Sequence, residues 1–176
     1  MNTKAVYRVS QALNEAGLVA LRFNFRGVGV STGSYDGGLG EQDDARAALA
    51  WLEDRYPSLP LVMGGFSFGS MVGLGVGVED DRVVALLGLG LPVDRDDYDF
   101  SYLADAGKPL LVVQGERDEF GPAAHAAEVL RPMGPHVTVV AIPGADHFFT
   151  RRLDELKEAV RGYYASGPGA RLLATV

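Results

Sequence analysis

A serine lies at the centre of a short motif flanked by glycines. Residues 65–69 read Gly-Phe-Ser-Phe-Gly, which places Ser67 in a G-x-S-x-G pattern. This pattern is typical of a tight turn between a strand and a helix, in which the serine is lifted clear of the sheet. The apolar residues 61–63 come before the motif and a plausible helix at 70–74 follows it. The sequence therefore predicts Ser67 as a nucleophile, with the Phe68 amide placed to stabilise an oxyanion; a purely structural glycine turn is the alternative.

A serine hydroxyl needs a general base to act as a nucleophile near neutral pH. The chain has three histidines and no cysteine. His147 follows the last apolar run, so its imidazole is expected at the same edge of the sheet as the serine turn. His125 lies within a helical pattern and His136 precedes a strand, at the opposite end. We therefore predict that His147 is the base and that the other two are surface or packing residues.

An acidic turn supplies candidates for the third member of a Ser-His-acid triad. Residues 114–120 leave the end of a predicted strand and contain Glu116, Asp118 and Glu119. A carboxylate at this position can accept the imidazole N–H and stabilise the imidazolium. The spacing alone does not decide among the three carboxylates, although Asp118 is the preferred candidate.

These residues are positioned by a regular alternation of strands and helices. Apolar runs without polar interruption indicate buried parallel strands, and 3.6-residue periodicity indicates helices. Strands are predicted at 18–25, 61–65, 83–89, 110–114 and 137–142, and helices before Gly17 and at 41–56, 123–130 and 152–164. The alternation predicts a three-layer, doubly wound α/β fold with its active loops at the carboxyl ends of the strands. Residues 1–165 are expected to form one domain and 166–176 a flexible tail.

Composition narrows the possible functions. The chain has 176 residues, 47% of them hydrophobic, and a formal net charge of −7. An acidic chain without a basic patch is not expected to bind nucleic acid or an anionic membrane, so a small, uncharged substrate is the better fit. No signal peptide is evident and the absence of cysteine is compatible with the cytoplasm, where we expect the protein. No metal or other cofactor is expected, because Asp and His lack ligand spacing.

Several motifs in the same order resemble small bacterial α/β-hydrolases related to dienelactone hydrolases. They comprise Leu-Arg-Phe-Asn-Phe-Arg-Gly-Val-Gly at 21–29, Tyr-Asp-Gly-Gly at 35–38, the serine motif, Tyr-Asp-Phe-Ser at 98–101, the acidic turn, and Asp-His-Phe-Phe at 146–149. The resemblance covers most of the chain up to His147. It implies an α/β-hydrolase fold and a triad of Ser67, Asp118 and His147, which separates Asp118 from its acidic neighbours. It also implies hydrolysis of small carboxylic esters, with lactones and thioesters as related possibilities.

The chain departs from that family at its amino-terminal side. Family members have about three strands before the first helix of this chain, and the loop after the last of them contributes to the oxyanion hole. The third family strand lies between the strand ending near Phe25 and the one ending near Gly65. We therefore expect a gap in the sheet, weakened oxyanion stabilisation, and a possible homo-oligomer formed through exposed sheet edges.

The sequence thus predicts a serine esterase whose pocket is lined by Asn24, Phe25 and Arg26. The alternative is a non-catalytic or weakly active module that depends on self-association or on a partner. Nucleotide binding by the glycine-rich residues 27–33 is disfavoured, because neither a complete G-x-G-x-x-G nor a G-x-x-x-x-G-K-[ST] motif is present.

Overall fold

A computed structural model of the chain describes residues 3–173, apart from the side chain of Leu172. The helices are α1 (Lys4–Glu15), α2 (Leu39–Arg55), α3 (Phe68–Glu79), α4 (Ala123–Leu130), α5 (Leu153–Ala165) and α6 (Pro168–Leu173). The strands are β1 (Leu61–Phe66), β2 (Val83–Leu89), β3 (Leu110–Gly115) and β4 (Val137–Ile142). Short 3₁₀ turns occupy Ser101–Asp105 and Arg131–Met133.

The four strands form one parallel sheet in the order β1-β2-β3-β4. In register, Leu87 of β2 pairs with Leu111 of β3, which in turn pairs with Thr138 of β4. β2 and β3 are almost entirely buried, whereas β1 and β4 are partly exposed. The predicted doubly wound α/β class is confirmed, and all four carboxyl ends of the strands face the same edge.

Alternate residues of the strands enter two separate hydrophobic cores. Leu86 and Val112 pack with α2 and α3 on one face of the sheet. Leu87 and Leu111 pack with α1 and α5 on the other face. The period-2 alternation of a strand explains why neighbouring leucines belong to different cores. Because both faces of β2 and β3 are covered, these strands need continuous apolar sequence.

Helix α3 contains three glycines, of which two are explained by close packing. A Cβ at Gly77 would overlap the Leu86 side chain and come within 2.9 Å of Met63, and a Cβ at Gly73 would lie 3.2 Å from the carbonyl oxygen of Gly64. Gly75 has nothing within 4 Å of the corresponding position. Two of the glycines therefore let α3 approach β1 and β2 closely, although each costs about 1 kcal/mol of helix propensity.

The strand predicted at residues 18–25 is wrong. These residues form neither helix, turn nor ladder. Between residues 19 and 23, no backbone group bonds to another backbone group within the part of the chain that the structure describes. A strand is defined by its ladder, and the apolar pattern of this stretch does not supply a partner. The sheet gap expected on this side is therefore present between the stretch and β1.

The carboxyl-terminal region is helical as far as it is described. Within the predicted tail, α6 packs against α5, and Leu173 joins the core beneath α1 and α5. Residues 174–176 lie outside the described part. Between residues 3 and 173, no helix is long and apolar enough to cross a membrane.

Candidate active site

Ser67 occupies a strained turn between β1 and α3. Its backbone has φ 54° and ψ −123°. Residues other than glycine rarely adopt such a positive φ. The Ser67 amide donates to the carbonyl of Leu89 at 3.0 Å, and its own carbonyl accepts the Ser70 amide at 2.8 Å and the Ser70 hydroxyl at 2.6 Å. Strain of this kind persists only where the surroundings hold it in place, and it concentrates at functional sites.

The glycine before the serine is required by this geometry. A Cβ at Gly65 would overlap the backbone carbonyl of Gly69, whereas a Cβ at Gly69 would meet only the Phe25 ring at 3.7 Å. The first turn of α3 therefore lies directly on the end of β1. The sequence pattern correctly located a strand-to-helix turn at this point.

His147 and Asp118 are in direct contact in the interior. The Nδ1 atom of His147 lies 3.0 Å from Oδ1 and 2.9 Å from Oδ2 of Asp118. The two residues are 2% and 1% exposed, so water does not compete for this contact. A carboxylate on Nδ1 holds the proton there and leaves Nε2 as the basic nitrogen. The arrangement can therefore present a correctly oriented base.

The other acidic and histidine candidates have different partners. Glu116 accepts the Gly144 amide at 2.7 Å, and Glu119 accepts the His147 backbone amide at 3.2 Å, so neither contacts the imidazole nitrogens. His125 is exposed and its Nδ1 pairs with Asp94. His136 lies 3.2 Å from the carbonyl oxygen of Leu103 through Nε2.

Gln114 is a site residue to which the sequence assigned no role. Its side chain is fully buried at the end of β3. Its Nε2 donates to Asp118 Oδ2 at 3.1 Å, to the carbonyl of Gly121 at 2.6 Å and to that of Leu91 at 3.1 Å. Its Oε1 accepts the Leu91 amide at 2.8 Å. In the sequence, this role was indicated by one polar residue in an otherwise apolar, buried strand, because a buried polar side chain needs hydrogen-bond partners.

The loops that carry the acid and the base are fastened to each other. The Arg117 amide donates to the carbonyl of Ala145 at 2.9 Å. A Cβ at Gly115 would lie 2.7 Å from the carbonyl oxygens of both Ala145 and Asp146, so β3 ends against the His147 loop. The Thr150 amide donates to the Asp146 carboxylate at 2.8 Å and holds the pKa of Asp146 below its ordinary value. The turn after His147 is therefore closed by an ionised side chain.

The imidazole is enclosed by aromatic rings. The ring of Phe66, which immediately precedes the serine, lies 4.9 Å from the His147 ring, and those of Phe120 and Phe148 lie at 4.7 and 5.2 Å. A Cβ at Gly90 would come within 3.2 Å of both Phe66 and His147. His147 therefore packs directly on the residue next to Ser67.

A second group of rings includes Phe68, the residue that follows Ser67 in the chain. Phe68 contacts Phe25 at 5.8 Å and Tyr35 at 5.6 Å between centroids. Of these three residues, Tyr35 is the one that is largely exposed, at 70%. Both sequence neighbours of Ser67, Phe66 and Phe68, therefore pack in aromatic clusters.

The remaining predicted pocket residues are part of the loop that carries Tyr35. Arg26 binds Asp44 through two guanidinium nitrogens, with a contact of 2.9 Å from Nη2 to Oδ1, and its backbone amide donates to Asp44 at 2.8 Å. The carbonyl of Asn24 accepts the Ser31 hydroxyl at 3.2 Å, and a Cβ at Gly29 would lie 2.9 Å from the Asn24 amide nitrogen. Both residues brace the loop beside Phe25.

Glu41, on α2, binds the backbone of the loop that carries Tyr35. Its side chain accepts the Asp36 amide at 3.0 Å and the Gly38 amide at 2.9 Å. Burial opposes ionisation of Glu41, but these backbone donors outweigh it and hold the pKa of Glu41 below its ordinary value. An ionised, buried carboxylate therefore fixes the start of α2 and the loop above Phe68.

Two features of a complete serine site are only partly formed. The Phe68 amide has no hydrogen-bond partner among residues 3–173 and points from the first turn of α3, where an oxyanion can be stabilised. Ser67 Oγ makes no hydrogen bond to His147 within the same part of the chain. Catalytic hydrogen bonds are often long in unliganded sites and tighten when substrate binds.

No group of three or more His, Asp or Glu residues between 3 and 173 is placed to hold a metal ion.

Comparison with known proteins identifies the family. The family model described as an alpha/beta hydrolase domain matches residues 1–160. An uncharacterised protein of Rickettsia prowazekii is 35% identical over 171 residues, which cover 93% of this chain and 71% of that protein.

Solved structures agree with this match. An alpha-beta serine hydrolase homologue from Coxiella burnetii is 36% identical, with a TM-score of 0.81 over 92% of this chain and 76% of that one. An α/β serine hydrolase without lid from Xanthomonas campestris is also 36% identical, with a TM-score of 0.82 over 97% of this chain and 74% of that one. The chain belongs to the α/β-hydrolase family.

Proposed function

We propose that this chain is a serine hydrolase that cleaves small, uncharged carboxylic esters through a Ser67-His147-Asp118 triad. The observation that carries the proposal is the buried contact of His147 Nδ1 with both oxygens of Asp118, next to a strained serine turn. Family membership supports hydrolase chemistry in general, and the ester specificity is inferred from the site. Lactones and thioesters contain the same electrophilic acyl carbon.

The first half of the proposed reaction forms an acyl-enzyme. Ser67 Oγ attacks the acyl carbon while His147 Nε2 takes the hydroxyl proton. The negative charge that develops on the acyl oxygen is stabilised by the Phe68 N–H at the start of α3. The tetrahedral intermediate then expels the alcohol, which receives the proton from His147.

The second half releases the acid. Water attacks the acyl carbon, gives its proton to His147 Nε2, and the ester bond to Ser67 Oγ breaks as the proton is returned to the serine. Asp118 accepts hydrogen bonds from Gln114 and from the Phe120 amide at 2.9 Å, as well as from His147. Its role is to fix the tautomer and to stabilise the imidazolium.

The substrate class follows from the surroundings of the serine. Phe68, which follows Ser67, packs with the rings of Phe25 and Tyr35. Phe66, which precedes Ser67, packs with the ring of Phe148. The nearby cation, Arg26, is already paired with Asp44. Such a surface favours apolar or aromatic groups over anionic ones.

A second candidate function is a non-catalytic hydrolase-fold module. The observation that favours it is the lack of a Ser67-His147 hydrogen bond within residues 3–173, together with a single identified oxyanion donor, the Phe68 amide. Loss of one such donor commonly reduces turnover ~10²–10³-fold. The two candidates differ in whether Ser67 reacts at all.

Hydrolysis of 4-nitrophenyl esters tests the proposal. We expect turnover of acetate and butyrate esters by the wild-type chain and none above background by Ser67→Ala. Ser166→Ala is the matched control, because this exposed hydroxyl lies at the end of α5 and donates to the Gly162 carbonyl, away from the serine turn. Equal rates for wild type and Ser67→Ala would contradict the assignment.

A further inference from the structure

The chain turns abruptly into the core just after His147. Phe149 is fully buried and packs with Leu87 and Leu156 in the core that α1 and α5 cover. Helix α5 then begins at Leu153. One short turn therefore leads the backbone from the edge of the sheet that carries the imidazole, through the core, and into a helix.

This turn is strained at two positions. Phe149 has φ 54° and Arg151 has φ 60°. Among residues 3–173, the one further non-glycine residue with a positive φ is Ser67. Residues with a Cβ disfavour this region of backbone space, so a turn of this kind persists only where other contacts hold it.

Asp146, the residue before the imidazole, supplies such a contact. Its carboxylate accepts the amide of Thr150, which lies between the two strained residues, at 2.8 Å. Its backbone carbonyl accepts the Phe149 amide at 3.0 Å. The Thr150 amide holds the pKa of Asp146 below its ordinary value, and the Thr150 hydroxyl lowers it further. The carboxylate is therefore ionised near neutral pH and bridges the strained part of the turn.

The backbone on the amino-terminal side of the imidazole is held by different groups. The Ala145 carbonyl accepts the Arg117 amide at 2.9 Å, and the Glu119 carboxylate accepts the His147 amide at 3.2 Å. These bonds fix the chain where it enters His147. The bond from Thr150 to Asp146 fixes the chain where it leaves. The position of the imidazole therefore depends on contacts on both sides.

We propose that Asp146 is a positioning residue for the base, because its carboxylate holds the strained turn closed and so keeps the His147 imidazole against Asp118. This inference rests on the triad of the proposed function. Asp146 takes no part in the bond changes, and its effect is on the alignment of His147. A misplacement of about 1 Å in such a group can lower turnover ~10²-fold.

Steady-state hydrolysis of 4-nitrophenyl acetate tests the role of the carboxylate. We expect Asp146→Ala to lower kcat about 10- to 100-fold with KM unchanged, because the base is displaced while the surface around the serine stays intact. Asp146→Asn should stay within a few-fold of the wild type, because its side-chain carbonyl can still accept the Thr150 amide. Asp105→Ala, in the exposed 3₁₀ turn at 101–105, is the matched control. Full kcat in Asp146→Ala, or equal losses in the Ala and Asn variants, would overturn the proposal.

Relief of the strain provides a second test. Glycine adopts a positive φ without the penalty of a Cβ, so Arg151→Gly should let the turn form without the carboxylate. We expect the double variant Asp146→Ala/Arg151→Gly to recover kcat several-fold over Asp146→Ala. Arg152 has φ −129°, so Asp146→Ala/Arg152→Gly is the matched control and should not recover. Equal recovery in both double variants would show that strain is not the cause.

Proton NMR separates this inference from the proposed function, because it needs no substrate. The Nδ1 proton that His147 donates to Asp118 should give a resonance far downfield in the wild type and in Asp146→Asn, and none in His147→Ala. We expect this resonance to broaden or disappear in Asp146→Ala that circular dichroism shows to be folded. An unchanged resonance in Asp146→Ala would overturn the positioning role. A wild-type chain that has the resonance, loses it in Asp146→Ala and hydrolyses no ester would contradict the proposed function alone.

Discussion

The side-chain amide of Gln114 donates to Oδ2 of Asp118 at 3.1 Å, in the fully buried end of strand β3. The same amide holds the loop at Leu91 through two further hydrogen bonds. One uncharged side chain therefore orients the acid of the proposed triad and ties it to the end of β2. Asp118 in turn contacts His147, so the position of the proposed base depends on Gln114, whose own partners are Leu91, Asp118 and Gly121.

We expect Gln114→Met to lower kcat for ester hydrolysis roughly 5- to 150-fold with little change in KM. The substitution preserves volume but leaves buried acceptors unsatisfied, at a cost of about 1–3 kcal/mol each. Steady-state kinetics and a melting curve separate this effect from unfolding. Gln11→Met, on the partly exposed α1, is the control. Full turnover in Gln114→Met would show that the amide has no positioning role.

Asp118→Asn should reduce kcat by about 10⁴, because the Asn NH2 group can donate to Nδ1 and so select the wrong imidazole tautomer. Glu119→Gln provides the comparison, because the Glu119 side chain accepts the backbone amide of His147 and not its imidazole. This control should retain activity within a few-fold. If the two variants lose activity equally, the assignment of the acid is wrong.

Gly65, at the end of β1, and Gly75, within α3, should respond oppositely to alanine. Gly65→Ala places a Cβ on the carbonyl of Gly69 and should destabilise the protein by at least ~2 kcal/mol, with loss of activity. Gly75→Ala adds a methyl group to open space within α3 and should stabilise it by about 0.5–1 kcal/mol. Urea denaturation measures both. A stable Gly65→Ala protein would contradict the close contact between β1 and α3.

The ion pair of Arg26 and Asp44 predicts a pH-dependent contribution to stability. The hydrogen bond from Arg26 holds the pKa of Asp44 below its ordinary value. Folding therefore favours the ionised carboxylate, and its contribution is present above the unfolded pKa of about 3.9 and is lost as the pH falls through the lower folded pKa.

Thermal melts of Asp44→Asn test this expectation. Its Tm should lie below that of the wild type near pH 7, and the difference should narrow in more acidic buffer below about pH 4. Asp54→Asn, on the exposed surface of α2, should have the same Tm as the wild type at both pH values. A difference that stays constant with pH would mean that the pair contributes through packing alone.

Local sequence patterns were sufficient to predict most of the helices and strands. Continuous apolar runs correctly predicted β1 to β4, and helical periodicity predicted α1, α2, α4 and α5 within a few residues. The stretch at 18–25 has the same apolar character but no ladder, because strand formation depends on a partner that local sequence does not encode.

The candidate site was predictable only in part. The order of the serine motif, the acidic turn and the last histidine along an alternating fold indicated which loops meet at one edge. Arg26 and Asp44 are paired although they are 18 positions apart in the sequence. Gln114, whose amide bonds to Asp118 and Leu91, lies in an otherwise apolar strand. Such long-range contacts leave little local signal, apart from a polar residue where an apolar one is expected.

Covalent labelling by a fluorophosphonate probe tests the central claim most directly, because such a probe reacts with a serine that a base has activated. The folded wild-type chain should be labelled, and the label should be lost in Ser67→Ala and strongly reduced in His147→Ala, while Ser166→Ala labels normally. A wild-type chain that is folded by circular dichroism but takes up no label would contradict a working triad and favour the non-catalytic module.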